Sequence, residues 1–403
     1  MSKTFCPLPW NHLATHPNGS VTLCCESDME NRNSESYNLE GDKRKFQTLH
    51  DTDYDFDKIV NSDYFNKVRL EMLDGKIPSS CAKCFNYEKN NLESKRQREL
   101  KRLDFNFDIA KKVTNNNGSL KEVNYEFIEL RLGNHCNLAC RTCNPVSSTR
   151  WKEDWFQLHQ YYIPFQSRFD WPLKEKFWTN LAKVSSKVKK IYINGGEPLL
   201  IDKHLQYLEF LVKNDYAKDI DLNYSTNSTV KNDIYLDVWS KFKSIEFMLS
   251  IDDIEHRNEY LRYPSTWKKT MQTLDWFERI KEQLSNVTLC LMQTISLMNI
   301  YYIKEYTNYF RPRSLHIHRN YVYAPNYYSA INLPQNVKKI ILEKNANVND
   351  YVSLENFLKV EGNTKYLQQF FEINNKLDGI RQESFKNVFD EWYEIIRKNV
   401  NET

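Results

Sequence analysis

The sequence contains no apolar run approaching the about eighteen residues that a membrane-spanning helix needs. Its most hydrophobic stretch, Val287 to Met298, is interrupted by Thr288, Gln293, Thr294 and Ser296. The first residues, Met1-Ser2-Lys3-Thr4-Phe5-Cys6-Pro7, lack the apolar core of a secretory signal, so a cytoplasmic protein with no membrane partner is expected. No sign of charge dominates. Against 56 lysines and arginines stand 53 aspartates and glutamates, and the formal charge of +3 makes no demand for nucleic acid or an anionic surface. No internal repeat of fixed period is present, and no low-complexity tract beyond Asn115 to Asn117. What the chain does have is enough apolar surface for a core: 40% of its 403 residues are hydrophobic and 27% charged, which disfavours disorder and suits two or three structural units.

Nine cysteines stand out. In a reducing compartment a disulfide framework is disfavoured, and clustered cysteines point to metal or cluster ligands. Cys290 alone is isolated, in an apolar strand-like run where it reads as a small buried hydrophobe. The chain divides by composition into a cysteine-bearing region 1–84, a linker 85–124, a strand-and-helix region 125–320 and a helical extension 321–403. Phe85 to Leu103 reads as one charged helix, its interleaved acids marking a solvated face rather than a nucleic-acid surface. Strands are expected over Phe127–Leu132, Lys190–Ile193, Ile220–Tyr224, Ile245–Ile251, Val287–Ile295 and Leu315–His318. Helices follow Asp202 and Ser265 as caps, the second carrying Trp267, Met271, Leu274, Phe277, Ile280 and Leu284 at three- and four-residue steps. This alternation predicts an α/β fold on a parallel sheet, open or curled, with six strands against the eight of a complete barrel. In the extension, Phe385, Val388, Phe389, Trp392, Ile395 and Ile396 form an apolar stripe that should pack as core.

The sharpest motif is Cys136-Asn-Leu-Ala-Cys140-Arg-Thr-Cys143, just past the C-terminal end of the first of these strands, where chemistry collects in parallel α/β folds. Three thiolates are one short of the four that hold a cubane iron–sulfur cluster, so one iron is left for an outside ligand. A structural zinc site completed by His135 or another residue is the alternative. The next strand ends in Asn194-Gly195-Gly196-Glu197-Pro198. Its glycines admit a ligand close to the backbone, and Glu197 offers a carboxylate to an ammonium group.

Together these two motifs resemble the signatures of the radical S-adenosylmethionine (radical SAM) superfamily, and the fold so implied is a partial (β/α)6 TIM-like barrel. The resemblance implies that Cys136, Cys140 and Cys143 hold a [4Fe–4S] cluster whose open iron is chelated by S-adenosylmethionine, with Gly195, Gly196, Glu197 and Pro198 around the methionine amine. Ser225-Thr226-Asn227 is similar to the family's Thr-Asn-Gly turn, implying a ribose or carboxylate contact for Asn227; Ser228 stands where glycine is usual. Ser250-Ile251-Asp252 is similar to its Ser-Leu-Asp-Gly turn, with Asp253 at the glycine position. Arg262 resembles an arginine that pairs with the cofactor carboxylate. Thr294 and Asn299 fall where a later strand carries polar residues towards the pocket. The implied chemistry is reductive cleavage of the cofactor to a 5′-deoxyadenosyl radical, which abstracts hydrogen from a substrate.

The N-terminal cysteines form a second pattern. Cys6-Pro-Leu-Pro-Trp10, the turn Pro17-Asn18-Gly19 before Cys24-Cys25, and a helix Asp63–Leu73 leading to Cys81-Ala-Lys-Cys84 resemble an auxiliary-cluster module of the SPASM/twitch type. In familiar members this module follows the barrel; here it precedes it. The resemblance implies one auxiliary [4Fe–4S] cluster on Cys6, Cys24, Cys81 and Cys84, with Cys25 an alternate. A zinc site on four cysteines remains the other reading. The aromatic segment Trp151, Trp155, Phe156, Tyr161, Tyr162, Phe165, Phe169, Trp171, Phe177 and Trp178 is expected to pack rather than to line a groove. Relatives with such modules often modify peptides, which makes a peptide or protein side chain the expected substrate and an external reductant such as flavodoxin or ferredoxin the expected partner. A small-molecule or RNA substrate, and a non-catalytic metal-stapled scaffold, are the competing readings.

Overall fold

The computed structural model describes residues 3–27, 48–89, 93–162 and 169–400. The chain forms two compact units, each assembled from separate segments: Met1–His135, Pro164–Tyr224 and Asp233–Ile245 make the first, and Cys136–Ile163, Ser225–Asn232 and Glu246–Thr403 the second.

In the first unit, β1 (His12–Thr15), β2 (Val21–Thr22), β3 (Phe127–Leu132), β4 (Lys190–Gly195) and most of β5 (Asp221–Thr226) lie in the order β2-β1-β3-β4-β5. All but the β1–β2 hairpin pair in parallel, with His12 beside Phe127, Ile128 beside Ile191, and Ile191 beside Leu222. The register stacks Ile128, Leu130, Ile191, Ile193, Leu222 and Tyr224 into a buried layer, each contributing on the order of 1.5–3 kcal/mol by leaving water. The hairpin turns at Pro17-Asn18-Gly19. Gly19 sits at φ +78°, and a Cβ there would lie 3.2 Å from the Trp171 ring, so glycine meets both a backbone and a space requirement. The cysteine-rich N-terminus thus joins the sheet through β1. Arg69, fully buried on the helix Asp63–Leu73, staples it further by donating to the carbonyls of Pro9 (2.8 Å), Val60 (2.6 Å) and Gly118 (3.1 Å). The single charged helix expected over Phe85–Leu103 is instead two, Ala82–Lys89 and Lys95–Arg102. Ser94 and Gln97 form a reciprocal capping box that starts the second afresh. Asp202 precedes the helix Lys203–Lys213 but its side chain caps nothing in it.

The second unit carries most of β6 (Ser244–Ser250), then β7 (Val287–Ile295) and β8 (His316–Tyr321), with β7 and β8 parallel from Cys290 beside His316 to Ile295 beside Tyr321. The helix Trp267–Gln283 places Leu274, Phe277 and Ile280 inward, Phe277 meeting Phe247 of β6 at 4.9 Å between ring centres. Its cap is Thr266, not Ser265, which pairs with Thr270 instead. Cys290 is buried in β7. The C-terminal extension is helical, and its stripe packs as expected: Phe385, Phe389, Trp392 and Ile396 are buried, and Val388 and Ile395 lie against them. Trp392 stacks on Tyr301 at 5.1 Å and donates its indole N–H to the Leu297 carbonyl (2.8 Å). The alternation of β3 to β8 with helices is the α/β class expected. Among the described residues, no helix is long and apolar enough to cross a membrane.

Candidate cluster and cofactor sites

Cys136, Cys140 and Cys143 lie on one loop at the start of the second unit. The loop is shaped by backbone bonds: Cys143 N–H donates to the Cys140 carbonyl (2.9 Å), Ala139 N–H to Tyr263 (2.6 Å) and Arg141 N–H to Leu261 (2.8 Å). Trp151 donates to the Cys140 carbonyl from its indole (2.9 Å). The thiols of Cys140 and Cys143 are hydrogen-bonded, which pulls Cys140 down to about 7; the Arg262 and Arg381 charges act in the same direction against burial. Cys143, exposed on the loop, is raised by that hydrogen bond and by the nearby Cys140 and Cys136 thiols, so all three sulfurs are close. The thiolate is the ligating form, and Cys140 reaches it near neutrality.

Around the loop, the expected contact residues are present in supporting roles. Asn227 holds the Cys136 sulfur (3.6 Å) and the Asn137 side chain (2.7 Å), and its own oxygen accepts from Thr229. Ser228, at the usual glycine position, adopts φ +61°, the left-handed conformation that favours glycine. Arg262 is paired with Asp252 (2.8 Å), whose other carboxylate oxygen accepts from Thr294 N–H (2.9 Å). Asn299 donates to the Asp252 carbonyl (2.7 Å), so Thr294 and Asn299 position this turn. Ser250 closes β6 just before it. Asp253 is raised to about 7 by burial, against the pull of Arg257.

The Gly195–Pro198 turn is built in the first unit, at the end of β4. A Cβ on Gly195 would lie 2.5 Å from Leu132 N, and one on Gly196 would overlap the His135 carbonyl. Glu197 N–H donates to that same carbonyl (2.8 Å). Both glycines are therefore required by the approach of residues 132–135, the segment that runs into Cys136. The Glu197 side chain is fully buried, and one of its oxygens accepts from Leu199 N–H (3.1 Å).

In the same unit, Cys6, Cys24, Cys81 and Cys84 line one small cavity of about 20 Å³, together with Met72, Lys95 and Arg96. Burial pushes the Cys6 thiol up to about 12, with Cys84 adding to it, and raises the Cys24 thiol as well. Cys25 is outside this lining. It accepts from the Lys95 ammonium (3.0 Å), which also bonds the buried Glu129 carboxylate of β3 (3.1 Å). Among the described residues, no group of three or more His, Cys, Asp or Glu side chains stands ready to hold a single metal ion.

Of the aromatic segment, Trp151, Trp171, Phe177 and Trp178 are buried, while Tyr161 and Tyr162 are exposed and Phe165 lies outside the described residues. Two groups of residues were not foreseen. One is the Lys95–Glu129 pair. The other is Arg141 with Asn374, Asp378 and Glu383, of which Arg141 sits within the triplet itself.

A βα-repeat domain whose first strand feeds a three-cysteine loop, preceded by four cysteines around a cavity, defines a class of cluster-binding protein. Comparison with known families specifies it. Residues 130–297 match the model of the Radical SAM superfamily, and residues 6–85 that of the SPASM iron–sulfur cluster-binding domain. The chain thus carries a radical SAM domain with a SPASM domain before it, and members of the superfamily are enzymes. The cofactors belonging to these domains are S-adenosylmethionine and [4Fe–4S] clusters. Over 104 residues the chain is 30% identical to the GTP 3′,8-cyclase of Aliarcobacter butzleri (strain RM4018), covering 25% of this chain and 27% of that one. Similar solved structures include native anSMEcpe with bound AdoMet (15% identity, TM-score 0.39, 59% of this chain and 62% of that one). Another is Streptococcus suis SuiB (14%, 0.36, 73% and 62%). The chain thus spans about a quarter of that curated relative and under two thirds of those structures.

The residues present fit these groups. In the second unit Ser228 Oγ and Arg262 Nε are buried without a hydrogen-bond partner, the polar atoms a cofactor would engage. In the first, four thiols share one cavity, the donor set of a cluster held wholly by protein.

Proposed function

We propose that this protein is a cytoplasmic radical SAM enzyme acting on a peptide or protein side chain, supplied with electrons by a flavodoxin- or ferredoxin-like partner. The observation that carries the reading is the gathering of the Cys136, Cys140 and Cys143 thiols on one loop, with Cys140 brought to about 7. Those three side chains would hold the catalytic cluster, and Cys6, Cys24, Cys81 and Cys84 the auxiliary one. When bound, these groups supply one-electron cleavage of S-adenosylmethionine and a 5′-deoxyadenosyl radical for hydrogen abstraction. The chain's own residues bind and orient. Glu197 offers its buried carboxylate, and Gly195 to Pro198 their backbone, to the methionine amine. Asn227 fixes Cys136, and Asp252 fixes Arg262 with one guanidinium N–H left for an anionic group of the cofactor. Ser250 lies at the end of β6, where the following turn carries Asp252.

The peptide reading rests on the company that SPASM-type modules keep. The identity with a GTP 3′,8-cyclase favours a small-molecule substrate as the second reading. Anaerobically reconstituted protein, given dithionite and S-adenosylmethionine, should yield 5′-deoxyadenosine, and Cys140→Ala should abolish it. Failure of the fully loaded wild-type protein to form that product would overturn the proposal.

A further inference from the structure

Arg141 is the middle of the cysteine loop, between Cys140 and Cys143, and its side chain is fully buried. Its guanidinium is bound into the C-terminal extension. One guanidinium nitrogen donates to Asn374 Oδ1 (2.9 Å); another donates to Asp378 (2.5 Å) and Glu383 (2.8 Å). Its Nε–H donates to the Tyr260 carbonyl (3.2 Å), and the guanidinium lies 3.5 Å above the Tyr260 ring. Asn374 and Asp378 belong to the helix Lys365–Arg381 and also bond the Tyr260 hydroxyl (2.7 and 2.8 Å). From the end of that helix, Arg381 donates to the Ala139 carbonyl (2.9 Å) and is anchored on Asp154. The helix therefore grips both partners of a short backbone ladder. On one side are Ala139 and Arg141 of the cysteine loop; on the other are Leu261 and Tyr263, which flank Arg262.

Resting on the reading that the three cysteines hold a cluster, we propose that the helix Lys365–Arg381 is the positioning element of that site. It acts through Arg141 to fix the cysteine loop against the strand of chain that carries Arg262. A planar guanidinium is needed because four acceptors on two segments are met at once, which a lysine ammonium does not reproduce. Arg141 is a positioning residue: it aims the thiols and Arg262 at the same volume and touches neither cluster nor cofactor.

Arg141→Lys, Arg141→Gln and Asn374→Ala are compared with the wild type, with Cys140→Ala and with the exposed-helix control Gln368→Ala. Three readouts are taken after anaerobic reconstitution or on metal-free chain. They are affinity for S-adenosylmethionine, the change it causes in the electron paramagnetic resonance of the reduced cluster, and hydrogen exchange at the Ala139 and Arg141 amides. Each Arg141 variant and Asn374→Ala should bind S-adenosylmethionine at least tenfold more weakly, lose the wild-type spectral change and exchange both amides faster, with the N-terminal iron and the control unaffected. Arg141→Lys should not rescue. Should Arg141→Gln not fold, Asn374→Ala decides. Wild-type affinity, spectrum and amide protection in Asn374→Ala, or in Arg141→Lys, would overturn the proposal. If Cys140→Ala itself keeps wild-type iron and affinity, it is the cluster assignment that fails.

Discussion

A buried ion pair and a buried histidine differ in what their removal does. Glu129 is buried on β3, where desolvation alone would raise it, yet the charges of Lys95, Arg131 and His12 bring it down to about 2. Neither member of the Lys95–Glu129 pair has water to turn to. Glu129→Leu should destabilise the metal-free chain by about 3–5 kcal/mol, because it leaves the Lys95 ammonium buried and uncompensated, while Glu129→Leu with Lys95→Met should recover most of the loss. Urea unfolding of the two variants checks this. His204 contributes a pH dependence of stability. Burial pulls it from 6.5 to about 4, although its Nδ1 meets the Ile201 carbonyl; its Nε2 meets Tyr224 Oη at 3.0 Å. Neutral in the fold and readily protonated when unfolded, it contributes stability that is present above pH 6.5 and is lost as pH falls towards 4. Between pH 7 and pH 5 the wild-type chain should lose about 2 kcal/mol more than His204→Gln does. Equal slopes of unfolding free energy against pH would contradict this.

Elements show where the sequence speaks plainly and where it does not. Strands β3 and β7 are legible from end to end, since Phe127–Leu132 alternates apolar with charged residues and Val287–Ile295 is mostly apolar. The helix Asp63–Leu73 is equally plain. Caps are harder: Thr266 wins over Ser265 by one residue, and the break at Ser94 hides in a segment rich in interleaved charges. The reason for Gly195 and Gly196 is invisible without the fold, because the residues they make room for are some sixty positions earlier in the chain. Their packing makes a prediction. Gly196→Ala must displace the His135 carbonyl, a backbone atom that cannot rotate aside. It should weaken S-adenosylmethionine binding in reconstituted protein while leaving iron at the N-terminal cysteines unchanged; unchanged affinity by equilibrium dialysis would contradict this.

At the scale of the whole molecule, chemistry was legible because cysteine and glycine are sparse, nine of each, and their spacing in the motifs is constrained by the groups they would bind. The supports were not. Arg141 is in plain view inside the triplet, but its partners Asn374, Asp378 and Glu383 lie more than two hundred residues on, in an extension whose pattern announces only helices. Lys95 likewise reads as one charge among many until the fold buries it beside Glu129 and Cys25. The account as a whole stands on two separate sulfur-lined sites in one chain. Iron and acid-labile sulfide, counted on protein reconstituted without oxygen, test it most directly. The wild type should hold about eight irons, Cys140→Ala about four and Cys81→Ala about four, as two independent cubanes require. Four irons in the wild type that persist in Cys140→Ala would contradict it.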